Sequence, residues 1–224
     1  MLTRGKILDV ISQKGTVSPG TTTLLDKTRY SNNGAMTDIT WTKLPSGLYA
    51  ATFNGSTSFA SVTNVPCLNR TLSISFEAWL YNTQDTNWTI CGLGPTNAVD
   101  VRNYIFQATN LHFDTAGTDY QATPGTTTAD LLDQWHFWAG TINTVDDEIY
   151  LYLDAVVDGS NTAAMPAMTE TDTFDLQIGR VNNAVGTYRY YLNGMMAGLR
   201  IYDYVRTPAQ IRGRYQATRN LFGV

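Results

Sequence analysis

The stretch Trp135-His136-Phe137-Trp138-Ala139-Gly140, followed after a polar turn by Glu148-Ile149-Tyr150-Leu151-Tyr152-Leu153-Asp154, constrains the fold more than any other part of the chain. Both runs repeat their apolar and aromatic character every second residue. The turn formers Asn143-Thr144-Val145-Asp146-Asp147 interrupt them, which is the pattern of a β-hairpin. A chain organised around such a pair is built from strands. Composition points the same way: only Glu77, Glu148 and Glu170 among the 19 acidic residues are glutamate, and aspartate, asparagine, threonine and glycine favour turns and strands over helices.

With 224 residues and 43% hydrophobic content, the chain can bury a sizeable core as one domain. Its 15 basic and 19 acidic residues leave a net charge of −4, too little positive field to attract nucleic acid. Cys67 and Cys91 match no metal spacing and no disulfide framework, although one bridge between them stays open. The N-terminus, from Met1 to Val10, lacks the apolar run of a signal peptide, and no segment is apolar enough to span a membrane. The expectation is a protein made without a recognisable signal peptide and without membrane insertion.

Residues 1–23 show little periodicity and end in the turn-rich Ser18-Pro19-Gly20-Thr21-Thr22-Thr23. They are read either as an edge strand or as an N-terminal arm for attachment to a larger assembly, and residues 24–224 as the body. Strands are expected at Gly47 to Phe53, Ser58 to Val62, Leu72 to Tyr81, Trp88 to Gly92, Val101 to Gln107, Leu111 to Asp114 and Tyr120 to Thr123. Others follow at Gln134 to Ile142, Glu148 to Leu153 and Phe174 to Ile178. Many strands joined by polar turns imply an all-β, two-sheet antiparallel β-sandwich. After Asp203, Thr207 can cap a helix, Pro208 suits its first turn and Gln210 sits three places after the cap, predicting a short C-terminal helix to about Gln216.

Several of these segments, in order, resemble laminin G-like domains of the concanavalin A-like lectin/glucanase superfamily. The resemblance lies in Tyr30-Ser31-Asn32-Asn33-Gly34, Tyr49 to Ser56, Ser73 to Leu80, the Trp135 and Glu148 strands, and Gln177-Ile178-Gly179-Arg180. It closes on Tyr191 to Asp203 and the Thr207-Pro208-Ala209-Gln210-Ile211 helix start, covering about Leu24 to Tyr215. It implies a concanavalin A-like jelly roll that binds glycans or adheres to surfaces. Ala155 stands where relatives usually have glycine, so the expected hairpin there is wider than a tight turn.

Glucanases of this fold alternate acidic residues along one strand so that acid and nucleophile share a cleft, and no such strand is present here. Glu77 is read as a structural carboxylate. The only neutral-pH bases, His112 and His136, are read as strand residues, and a lyase site of histidine, tyrosine and arginine would have to converge in space. Relatives often hold Ca²⁺ in loops, which makes Asp26, Ser31 and Asn33 the candidate ligands of a structural Ca²⁺; the alternative is turn stabilisation by their side chains. Sugar binding uses aromatic faces beside amides and arginines, and aromatics next to turns nominate Trp88, Tyr104, Asn182, Tyr188 and Tyr190. Trp79, Trp135 and Trp138, inside strands, are expected in the core.

The expected function is a non-catalytic carbohydrate-recognition or adhesion module whose partner is a glycan or cell-surface polysaccharide, working at an extracellular or virion surface. The alternative is a structural virion protein, a capsid decoration, fibre or tail component, contacting other virion proteins through the N-terminal arm, with homo-oligomers allowed. A polysaccharide hydrolase or lyase ranks below both.

Overall fold

A computed structural model describes residues 5–10, 13–14, 21–63, 73–85, 88–93, 103–107, 110–115, 118–165, 175–184 and 187–224. The first strands are Lys6–Val10 (β1), Gln13–Lys14 (β2), Thr23–Leu24 (β3), Gly34–Thr37 (β4), Thr40–Lys43 (β5), Leu48–Asn54 (β6) and Phe59–Val62 (β7). Then come Ser73–Asn82 (β8), Thr89–Leu93 (β9), Asn103–Gln107 (β10), Asn110–Thr115 (β11), Thr118–Ala122 (β12), Trp135–Asn143 (β13) and Glu148–Leu153 (β14). Val156–Asn161 (β15), Leu176–Ile178 (β16), Val181–Ala184 (β17), Thr187–Arg189 (β18), Asn193–Tyr202 (β19) and the helix Pro208–Thr218 (α1) complete the order.

These strands form the expected antiparallel sandwich. A nine-stranded sheet runs β15-β14-β13-β8-β19-β6-β2, with β1 beside β19 and β5 beside β6, and an eight-stranded sheet runs β12-β11-β10-β9-β16-β7-β4-β3. Strand β8 shows how alternation builds two layers of core. Ile74, Phe76, Ala78 and Leu80 face the other sheet and meet Trp138, Ile142, Ala60, Val62, Ile90, Leu93, Leu176 and Ile178 in one buried cluster. On the opposite face, Trp79 joins Trp135, Phe137, Ala139, Ala197 and Ile211 in a second.

The second cluster is roofed by α1. Thr207 accepts from the Gln210 amide while the Gln210 side chain accepts from the Thr207 amide, forming the capping box expected from Thr207-Pro208-Ala209-Gln210. Trp79 stacks on Phe222 at 4.3 Å and donates its indole N–H to Thr218 Oγ1 at 3.0 Å. Burying such a ring with its polar atom satisfied makes this an anchor for the C-terminus.

At one point the chain is tighter than expected. Leu153 pairs with Val156, so Asp154 and Ala155 alone make the turn, at φ +50° and +66°. The wider hairpin predicted from Ala155 is therefore incorrect. Two successive positive φ values are those of a type I′ turn, which matches strand twist. Asp154 anchors it, with Oδ1 accepting from the Phe137 amide and Oδ2 2.8 Å from His136 Nδ1. That contact accounts for His136 as a structural residue. Cys91 is a free thiol buried in the core, and Cys67 lies outside the described residues.

Candidate functional site

The site grows from one glycine. After β16 the chain reaches Gly179 at φ +80°, where an added Cβ would come within 2.4 Å of the Phe53 ring, so only glycine fits both backbone and space. Its N–H donates to the Ile90 carbonyl at 2.9 Å, and its carbonyl accepts from Leu192 N–H at 2.8 Å. Between these two pinned points β17 and β18 pair with each other as a small sheet of their own.

Arg180 ties that hairpin to the outer face of the eight-stranded sheet. Ala60, Val62, Leu176 and Ile178 point into the core, which puts Phe59, Ser61 and Gln177 on the outer face. The Arg180 guanidinium lies between two rings, 3.2 Å from the Phe59 centroid and 3.4 Å from the Tyr188 centroid. The rings are 11° from parallel and 6.4 Å apart. Arg180 Nε donates to Gln177 Oε1 at 2.9 Å, Gln177 Nε2 to Ser61 Oγ at 3.0 Å, and Ser61 Oγ to Asp175 Oδ2 at 3.2 Å. Two cation–π contacts and an edge hydrogen bond fix the guanidinium in plane and position.

The result is an aromatic ledge. Tyr188 is 38% exposed while the arginine beneath it is 7% exposed, so the chain presents a ring and hides the cation that holds it. Asn182 is paired with Tyr188 across the hairpin, and its Oδ1 is buried with no hydrogen-bond partner among the described residues. Tyr190, at φ +56°, carries the Arg189 guanidinium 4.4 Å from its ring. Asn182 and Tyr188, nominated with Tyr190 from sequence as one group beside a turn, pair across this hairpin, and Tyr190 directly follows it.

The other nominated residues fall elsewhere. Trp88 is 2% exposed in the inter-sheet core, edge-on to Trp138 at 5.8 Å, so the rim role expected for it is replaced by packing. Its position after Asp85-Thr86-Asn87 carries no sign of the inward direction that its burial shows. Tyr104 lies on β10, with its side chain outside the described residues, as does that of His112.

Asp26, Ser31 and Asn33 do share a loop. Asp26 Oδ1 accepts from the amides of Asp9 (2.9 Å) and Thr28 (3.0 Å), and Oδ2 from Thr28 Oγ1 (2.6 Å) and the Asn32 amide (2.9 Å). Asn33 Oδ1 accepts from the Asp26 amide at 2.9 Å, and Ser31 turns the chain at φ +52°. These oxygens are committed to protein donors, and no group of three or more His, Cys, Asp or Glu gathers among the described residues. Turn stabilisation by side-chain hydrogen bonds, the alternative to Ca²⁺ ligation, accounts for Asp26 and Asn33 in this loop. The loop also holds β1 in place.

Carboxylate chemistry is equally constrained. Glu77 is 1% exposed on the helix-covered face, with Oε2 accepting from Tyr202 O–H at 3.0 Å and Oε1 2.9 Å from Arg206 Nη2. Burial pushes its carboxyl above the usual range in spite of the nearby arginines and the tyrosine bond. Glu148 opens β14, and strand register puts it about 16 Å from Glu77, beyond the roughly 5–9.5 Å of glycosidase pairs.

Phe59 and Arg180 were not singled out as site residues from sequence. Phe59 was accessible in principle, since inward Ala60 and Val62 leave it on the outer face, whereas Arg180 becomes visible only through contacts between separate strands.

Residues 54–212 match the Laminin_G_3 family, described as the concanavalin A-like lectin/glucanases superfamily. The chain belongs to this superfamily. Solved structures of similar fold include domain 4 of AbnA, a GH43 extracellular arabinanase from Geobacillus stearothermophilus, in complex with arabinotriose. It has a TM-score of 0.63 and 20% identity over 84% of this chain and 90% of that one. The binding domain of Paraclostridial Mosquitocidal Protein 1 has a TM-score of 0.68 at 10% identity, covering 98% of this chain and 55% of that one. The receptor binding domain of botulinum neurotoxin C/D mosaic serotype has a TM-score of 0.67 at 14% identity, covering 95% and 51%. This chain thus spans about half of the toxin domains. No curated protein matches it.

Proposed function

We propose that this chain is a non-catalytic carbohydrate-recognition module that binds glycan through the β17–β18 ledge. The observation that carries the reading is the Arg180 stack, which holds Tyr188 rigidly with part of its ring exposed. A preformed aromatic face receives the C–H side of a sugar with little ordering cost, and neighbouring amides and hydroxyls orient it. In this reading Tyr188 is the platform, Asn182 and Tyr190 line it, and Arg180 and Phe59 position it. Proteins of similar fold support the ligand class: AbnA domain 4 is solved with arabinotriose, and a botulinum neurotoxin DC binding domain with SialylT. The module works at an extracellular or virion surface and needs no Ca²⁺, because Asp26 is already engaged by its own loop.

The test is a glycan array probed with the protein and with Tyr188→Ala, each in Ca²⁺ and in EDTA. Binding is expected to survive EDTA and to weaken at least about tenfold in the variant, equivalent to roughly 1.4 kcal/mol. Silence of the wild type across the array at millimolar affinity would reject carbohydrate recognition and leave a structural virion role. Equal binding by Tyr188→Ala would move the site off the hairpin.

A further inference from the structure

The seam between β19 and α1, on the face of the molecule opposite the ledge, carries more cationic than anionic side chains. Lys6, Lys27, Arg200, Arg206 and Arg214 surround two carboxylates there, Asp9 and Glu77. Both carboxylates are engaged. Asp9 is bound by Lys6 and lies 3.2 Å from Arg200 Nε, while Glu77 is held by Tyr202 and Arg206. Arg214 is left over: half-buried on α1, its guanidinium makes no hydrogen bond or ion pair among the described residues.

Backbone geometry opens a space beside it. Strand β19 carries a bulge between Ala197 and Arg200 in its pairing with β8, and Gly198 within it sits at φ +64°. A Cβ built at Gly198 would meet one atom alone within 4 Å, Arg214 Nη2 at 3.7 Å. The bulge therefore leaves a niche with a guanidinium on one wall and, two residues along the same strand, Arg200.

We propose that this niche binds a tetrahedral oxyanion, a sulfate or phosphate group, between Arg214 and Arg200. Such a group offers several oxygens to guanidinium donors and relieves the repulsion between the two arginines. Burial first, and then the Arg200 charge, make Arg214 easier to deprotonate than a solvated arginine, with Glu77, Tyr202 and Asp9 opposing. Lys27 is shifted in the same direction, with burial as its largest cause. An anion held between the two arginines would offset the Arg200 repulsion on Arg214. The shared chemistry covers a free ion and a sulfate ester on a glycan.

Thermal unfolding at constant ionic strength tests this, with sodium chloride exchanged for sodium sulfate, sodium phosphate or glucose 6-sulfate. The wild type and Arg212→Gln, an exposed position on the same helix, are expected to gain roughly 3–6 °C at ten times the Kd. Arg214→Gln is expected to lose that gain while melting no lower than wild type in chloride. A larger response to glucose 6-sulfate than to sodium sulfate would support the proposal with an ester as ligand, and the reverse would support it with a free ion. Equal responses of wild type and Arg214→Gln, no response of the wild type, or a Tm loss of Arg214→Gln in chloride would each overturn it. The Tyr188→Ala variant should respond like wild type, which separates this site from the glycan ledge.

Discussion

The two outer faces of this sandwich treat aromatic side chains in opposite ways. On the nine-stranded sheet, Trp79, Trp135 and Phe137 are 1%, 9% and 1% exposed under α1 and Phe222. On the eight-stranded sheet, Phe59 and Tyr188 clasp Arg180 and leave Tyr188 38% exposed. Each face also stacks an arginine on a tyrosine. Arg206 lies 4.5 Å from the Tyr202 ring with Glu77 to neutralise it, whereas Arg180 is met by rings and the Gln177 amide. A ring becomes a binding surface only where no segment of the chain roofs it. The helix-covered rings serve packing, and we assign recognition to the ledge.

The largest effect should come from Trp79→Ala. It removes a buried ring stacked on Phe222 and Tyr215 together with the bond to Thr218, a loss of about 3–5 kcal/mol in a denaturant titration. The matching change on the other face, Tyr188→Ala, should cost about 1 kcal/mol, because it removes one cation–π partner of Arg180 and little buried area. Glycan binding should follow the reverse order, surviving in folded Trp79→Ala and weakening in Tyr188→Ala. If Tyr188→Ala unfolds the protein, the ledge is core and the distinction between the faces fails.

The helix-covered face contains its own contrast, which pH can sharpen. Burial is the largest influence on Asp9 and acts to raise its pKa, but the hydrogen bonds and charges of Lys6 and Arg200 together outweigh it and hold the carboxyl below its ordinary 3.8. Asp9 thus contributes stability that is present above that value and lost as pH falls through its depressed folded pKa. Glu77 is shifted the other way, so the folded protein binds its proton more readily, and stability from this group rises as pH falls from its raised pKa towards 4.5. Melting temperatures across this range should show Asp9→Asn removing part of the acid loss and Glu77→Gln removing the mid-acid rise. Identical pH profiles for the two variants would mean that the shared arginines, and not the individual carboxylates, set the dependence.

The aromatic alternation of Trp135 to Gly140 announced β13, and the spacing of Thr207 and Gln210 announced the helix cap, because both are local rules of period and hydrogen bonding. Strand β1 had no such signature. Its register shifts between Lys6 and Leu8, so Ile7 and Leu8 both enter the core and the two-residue period is lost. The β17–β18 hairpin is too short to show a period at all. Asn182, Tyr188 and Tyr190 were found as polar and aromatic residues near a turn, which is a compositional cue. The same cue selected Trp88, and only packing against Trp138 distinguishes it from the others. Arg180 depends on Phe59, far away in sequence, and contact at that separation leaves no trace in a single chain.

The smallest effect is expected at Ala155, where a local rule is broken and compensated. At φ +66° this position favours glycine, because an alanine methyl in the left-handed region costs roughly 1–2 kcal/mol relative to an unstrained backbone. Asp154, also left-handed at φ +50°, is held by His136 and the Phe137 amide, and these bonds keep the two-residue turn closed in spite of the strain. Ala155→Gly relieves that strain but frees the unfolded chain by roughly 0.5–1 kcal/mol, so the net gain should be a few tenths to about 1 kcal/mol. It should be seen as a higher denaturant midpoint at unchanged slope. In an Asp154→Ala background the gain should grow, because the turn then has no anchor and depends on its backbone preferences alone. An equal gain in both backgrounds would show that Asp154 does not carry the strain. The tight turn would then follow from the pairing of Leu153 with Val156.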